Sequence, residues 1–186
     1  MNAKNTVGII ELSSISKGFE VQDAVLKFSS VEKLVARSIC SGKYLILVRG
    51  EIADVESCLE KARSVGGFAV IQIVILPKMD EKIFPAIVGA TALDSPEIGG
   101  VLIFETFSAA SALKISDIAV KQADVTILRI HLAMAIGGKG LAVLTGDMES
   151  LKSIVGPVLE YAKDDGMLAG YTLIPNPHPE LLRELI

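Results

Sequence analysis

Two cysteines, Cys40 and Cys58, and two histidines, His131 and His178, are the side chains of this 186-residue chain with the strongest soft-metal and nucleophilic chemistry. Cys40 is the most suggestive, in the stretch Arg37-Ser38-Ile39-Cys40-Ser41-Gly42-Lys43. Val35 and Ile39 before it, and Tyr44, Ile46 and Val48 after it, are β-branched or aromatic, so the stretch reads as a hairpin whose tip presents a thiol. A hairpin tip is free to face a partner or a pore, because its backbone needs no ladder bonds beyond it. Spacing alone leaves two readings open for Cys40. It favours an inert turn cysteine over a thiol kept for use, although Lys43 nearby would favour the thiolate.

The remaining candidates carry less. Cys58 falls beside the apolar stripe of a helix and reads as a small packed hydrophobe. One thiolate cannot hold an iron–sulfur centre, which usually takes four cysteine ligands. A cyclic trimer with Cys40 next to its axis would converge three thiolates and leave the fourth ligand to water or another molecule. Gly137-Gly138-Lys139-Gly140 lacks the phosphate-loop spacing and reads as a flexible turn. His131 has no other ligand type close by, and His178 lies in Pro175-Asn176-Pro177-His178-Pro179, a rigid extended exit. Glu11 and Glu105 read as residues that cap or bond backbone beside a strand end. No nucleophile has a sequence-evident base and no nucleotide fingerprint is present, which argues against an enzyme.

The elements that must position the tip follow from periodicity. Thr6–Leu12 reads as a strand, Ser13-Ser14-Ile15-Ser16 as a turn and cap, and Lys17–Ser29 as a helix burying Val21, Ala24, Val25 and Phe28. Glu32–Ile39 and Lys43–Arg49 form the hairpin. A helix from Gly50-Glu51 buries Ile52, Val55, Leu59 and Ala62, ends at Gly66-Gly67, and gives way to a strand from Phe68 to Leu76. The order β-α-β-β-α-β then recurs. Glu11 and Glu105, Asp23 and Asp117, Lys27 and Lys121, Val31 and Val125, and Leu34 and Leu128 are each 94 positions apart. The offset is 96 for Lys43 and Lys139 and 98 for Pro77 and Pro175, so the insertions are confined to turns. This is a tandem duplication. It predicts an α+β chain of two domains, residues 1–93 and 94–186, each an antiparallel sheet covered by helices. The junction falls near Gly89–Pro96, and Pro157 must kink or divide the Asp147–Lys163 helix.

Composition bounds the function. Eighteen basic and 22 acidic residues give a net charge of −4, and with a pI near 5.3 this argues against nucleic acid as a partner. Hydrophobic residues make up 51% and mean hydropathy is +0.52, yet the longest apolar run, Gly66 to Leu76, is too short to cross a membrane and carries Gln72. The surplus of Val, Ile, Leu and Ala is read equally well as burial between subunits or as plain packing. The start Met1-Asn2-Ala3-Lys4-Asn5 has no apolar core behind it, so the expectation is a cytosolic, reduced protein.

With the repeats aligned, a resemblance emerges. Gly8-Ile9-Ile10-Glu11, Asp23-Ala24-Val25-Leu26-Lys27, Gly42-Lys43, Gly50-Glu51-Ile52-Ala53-Asp54-Val55 and Ile174-Pro175-Asn176-Pro177-His178 resemble the bacterial microcompartment shell-protein domain, over about Val7 to Glu184. Two copies are similar to the tandem-domain, trimer-forming shell proteins, and Ser38–Lys43 and Arg129–Lys139 resemble the iron–sulfur tandem shell proteins of propanediol-utilising compartments.

That resemblance implies a non-enzymatic homotrimer, pseudohexameric because two domains times three chains fill six positions. It implies tiling with other shell proteins into a microcompartment shell in the cytoplasm, away from membranes. It makes Cys40 of three subunits the ligands of one [4Fe-4S] cluster at the central pore, for electron transfer, with encapsulated redox enzymes as partners. It lines the pore with Ser38, Ile39, Ser41, Gly42, Ala135, Ile136, Gly137 and Gly138, and puts shell-edge contacts at Lys27, Lys121 and Lys78. Ser41 departs from the pattern, since such relatives carry proline after the cysteine. Two competing expectations are a shell protein with an open metabolite pore and no cluster, and a soluble ligand-binding regulator.

Overall fold

The computed structural model describes residues 4–89, 91, 99–134 and 136–185, and the chain forms two compact units, 1–79 and 80–186. The first contains β1 (Thr6–Leu12), α1 (Ile15–Phe28), β2 (Glu32–Ile39), β3 (Lys43–Gly50), α2 (Ile52–Gly66) and β4 (Val70–Leu76). Its strands pair antiparallel in the order β2-β3-β1-β4. Ser14 sets the start of α1, its hydroxyl accepting the Lys17 N–H at 3.3 Å, so the helix begins two residues before the predicted Lys17. Gly67, with φ 52°, stops α2, and a 3₁₀ turn over Gly67–Ala69 delays β4 to Val70.

The helices cover one face of the sheet. Ile10, Leu12, Tyr44, Ile46 and Val48 pack against Val21 and Val25 of α1 and Val55, Cys58, Leu59 and Ala62 of α2. The predicted α1 stripe shifts by one turn, because Phe28 is exposed beneath the Lys61 ammonium, 5.3 Å from the ring centroid. The buried stripe instead extends toward the start of α1, to Gly18. A Cβ there would fall 2.3 Å from Cγ of Tyr44, so α1 lies directly on the Tyr44 ring. Ile52, predicted on the α2 stripe, is likewise exposed.

The second unit repeats the plan after a short helix, α3 (Ile83–Val88), that the sequence pattern did not announce. Then come β5 (Gly100–Thr106), α4 (Ala109–Gln122), β6 (Thr126–Leu132), β7 (Gly140–Gly146), α5 (Met148–Asp165), β8 (Leu168–Pro175) and α6 (Pro179–Leu185). The strand order is β6-β7-β5-β8, again antiparallel. Asp147 caps α5 by accepting the N–H groups of Glu149 and Ser150, and α5 runs on through Pro157 as one helix. The tight helix-to-strand approach recurs with its sizes exchanged. Ala112 stands where Gly18 does, and Gly140, where Tyr44 does, has room for no Cβ because Ala112 Cβ would lie 2.6 Å away.

Segment 80–88 belongs to this second unit. Ile83, Phe84, Ala86 and Ile87 are buried, and α3 lies on β6 and α4. The Asp80 N–H donates to Asp117 Oδ1 at 3.0 Å, and Lys82 pairs with Asp124 at 3.1 Å. Apart from Gly89 and Thr91, the expected junction Gly89–Pro96 lies outside the described residues.

Candidate functional site

The first hairpin closes as the sequence predicts. Ile39 pairs with Lys43, and Cys40, Ser41 and Gly42 form the three-residue connection. Ser41 (φ 63°) and Gly42 (φ 72°) are both left-handed. Glycine adopts this freely, serine at some cost, and proline not at all, since its ring fixes φ near −65°. The proline expected of similar tips therefore cannot occupy position 41 in this turn. Cys40 is half-buried, Ser38, Ser41 and Gly42 are exposed, and Ile39 is buried.

An ion pair sequence reasoning missed stands at the base of the tip. Lys43 Nζ lies 2.8 Å from Glu11 Oε1, the carboxylate only 13% exposed, so Glu11 holds the tip lysine rather than backbone. Lys139 and Glu105 repeat the pair at 2.9 Å, with Lys139 also over the Phe107 ring. The signal was available, since both members recur in both repeats.

The second tip is longer. Ala133 N–H donates to Lys139 O at 2.9 Å and Lys139 N–H to Ile136 O at 3.2 Å, with Ala133, Gly137 and Gly138 at positive φ. His131 Nε2 hydrogen-bonds Met134 O inside this tip, which gives the histidine a structural role. Ile136 and Gly138 are half-buried and Gly137 is exposed, whereas Ala135 lies outside the described residues. The second tip carries no thiol.

Cys58 is fully buried, and burial pushes its thiol up to about 11, so it stays protonated at neutral pH. The cysteines form no disulfide, and among the described residues no three His, Cys, Asp or Glu side chains of one chain gather. A metal centre at Cys40 therefore needs ligands from other molecules. Lys27 pairs with exposed Asp23 at 2.6 Å, while Lys121 pairs with buried Asp117 at 2.7 Å. Lys78, at φ 55°, lines a recess with Asn5, Thr6, Glu51, Ile52, Ala53 and Pro77. His178 Nδ1 accepts the Glu180 N–H at 3.2 Å and starts α6, so the chain's exit is helical beyond Pro179.

Each unit thus carries one hairpin tip on the same four-stranded frame, and the BMC domain model matches residues 6–79 and 101–177. The chain belongs to the BMC domain family. Among relatives, the bacterial microcompartment shell protein PduT of Citrobacter freundii is 35% identical, covering 97% of both chains. Shell protein PduA of the same organism is 28% identical over 87 residues, 44% of this chain and 94% of its own length. Among solved structures, a microcompartment protein from Desulfitobacterium hafniense DCB superposes with a TM-score of 0.92 at 37% identity, covering 97% of this chain and 99% of its own. A fused permuted hexameric shell protein from the RMM microcompartment shares the fold, with a TM-score of 0.57, 19% identity, and coverage of 83% and 79%. The BMC family is structural rather than enzymatic, and this member is a tandem-domain shell protein of a bacterial microcompartment. No described helix is long and apolar enough to cross a membrane.

Proposed function

We propose that three copies of this BMC protein close into a pseudohexameric plate of the shell, and that Cys40 of each copy ligates one [4Fe-4S] cluster at the plate's centre. The observation that carries the reading is the placement of Cys40. It is a half-buried thiol on a three-residue tip whose base is fixed by an ion pair, and only one of the two repeats has it. Threefold symmetry would therefore set three thiolates, not six, around one axis. When bound, the cluster supplies one-electron transfer, here between the two sides of the shell, and water or another molecule completes its ligands.

The chain's own residues prepare that site. Ser41 and Gly42 turn the backbone tightly so that Cys40 stands at the tip, Lys43 and Glu11 keep the base electrically neutral, and buried Cys58 does not compete for metal. The remaining tip residues, Ser38, Ile39, Ser41, Gly42, Ala135, Ile136, Gly137 and Gly138, surround the pore in this reading. Lys27, Lys121 and Lys78 meet neighbouring plates, and redox enzymes inside the compartment would be the partners of a plate that held the cluster.

The test is purification without air, followed by iron and sulfide determination, electron paramagnetic resonance and sedimentation. The expected result is a coloured trimer with about four irons per three chains, lost in Cys40→Ser. A colourless trimer lacking labile sulfide, with iron content unchanged in Cys40→Ser, overturns the cluster and leaves an open metabolite pore. A monomer removes the plate as well.

A further inference from the structure

Duplication lets each repeat report on what the other lacks. In the second unit, segment 80–88 lies on β6 and α4, Asp80 N–H bonds Asp117, and Ile83 is fully buried. The matching surface of the first unit is open. At the 94-residue offset, Leu113 and Val120 are 0% and 8% exposed, whereas their counterparts Phe19 and Leu26 are 60% and 37% exposed. The Asp117 side chain is 1% exposed and that of Asp23 is 63%. On the edge strand, Ile130 of β6 is buried, but its counterpart Ala36 of β2 is only half so.

The donor side shows the converse. At the 98-residue offset that relates Pro77 to Pro175, Asp80, Ile83, Phe84 and Ile87 become His178, Leu181, Leu182 and Leu185. These keep the apolar spacing of α3, yet α6 has no buried residue. Leu182 and Leu185 rest partly covered against Val101, Leu128 and Val143, and Leu181 lies outside that cluster. An apolar side chain without a full set of neighbours, and a surface with the matching vacancy, are the two halves of one contact.

We infer that segment 178–185 of one copy bears on β2 and α1 of a second copy, as segment 80–88 bears on β6 and α4. Leu181 seats against Phe19 and Leu26 of the second copy, and the His178 N–H donates to its Asp23. The contact is head-to-tail, so it propagates around a ring rather than pairing two copies off. This rests on the trimeric reading and names the surfaces that build it.

The test uses the full chain in a Cys40→Ser background. Asp23→Cys and His178→Cys are combined and treated with a short bismaleimide, and Asp80→Cys with Asp117→Cys is the control whose geometry lies within one chain. The expected product is a ladder of covalently joined chains ending at three, absent when either cysteine is introduced alone. Independently, Leu181→Asp should weaken association by at least about tenfold in sedimentation while the far-UV circular dichroism of the subunit stays native. A wild-type trimer with no interchain product, or with Leu181→Asp associating like wild type, overturns the inference and leaves the trimer standing. A wild-type monomer overturns both.

Discussion

Replacing Glu11 by Gln removes a charge at the base of the Cys40 tip and little volume. The lost pair spans 2.8 Å, a gross attraction of about 6 kcal/mol at an effective dielectric of about 20. Most of that is offset by the desolvation already spent on bringing the two groups together. What remains is an ammonium held against a largely buried amide, and the expected loss is about 1–3 kcal/mol. Lys43→Met should cost more, because it strands the more buried partner. The double variant should recover to within about 1 kcal/mol of wild type, as expected when a paired set is replaced by neutral groups of similar shape.

The second repeat is an internal control. Glu105 and Lys139 are 44% and 39% exposed, so Glu105→Gln should cost no more than about 1 kcal/mol. Urea unfolding followed by far-UV circular dichroism at fixed protein concentration measures all four variants without adding salt. If Glu105→Gln proved as costly as Glu11→Gln, or Glu11→Gln fell within about 0.3 kcal/mol of wild type, burial would not be what gives the first pair its strength.

Gly18→Ala should lower stability by about 1–3 kcal/mol despite a helix-propensity gain of about 1 kcal/mol, because the new methyl meets the Tyr44 ring; a higher melting temperature would refute this. At pH 8 and without a cluster, a thiol reagent should label Cys40 readily and Cys58 only as the chain unfolds, since the Cys58 thiol is pushed up to about 11; two fast equivalents per chain would contradict the burial of Cys58. The Ser150 hydroxyl and N–H groups of Ser150 and Glu149 hold the Asp147 carboxyl below its ordinary value. Its contribution is present above the unfolded carboxylate value of about 4 and is lost as pH falls through the lower folded one. Urea midpoints should therefore fall more steeply below about pH 4 for wild type than for Asp147→Asn, and parallel curves would exclude Asp147 as the cause.

Most of the architecture was written in local pattern. The apolar, β-rich run Thr6–Leu12, the Ser14 cap and the glycines after α2 each act over a few residues, and the 94-residue recurrence reinforced them. What escaped had non-local causes. α3 and α6 span six and seven residues, too short for a helical period to stand out, and α3 is fixed by burial on β6 and α4. Phe28 looked like core because spacing cannot tell the last inward turn of a helix from an end capped by a lysine on α2. Glu11 looked like a backbone ligand because its partner is 32 residues away in sequence. The position of Cys40 could be read from the hairpin, but no spacing rule supplies ligands that come from other molecules.

The exchanged sizes at Gly18–Tyr44 and Ala112–Gly140 bear on how a doubled chain avoids confusing its own halves. Were α1 to dock on the strand that belongs with α4, glycine would face glycine and leave a hole; the reverse mispairing would drive an alanine methyl into a tyrosine ring. A nascent polypeptide whose first half is already made while the second is still emerging thus meets a steric password at each helix, and only the cognate strand answers it.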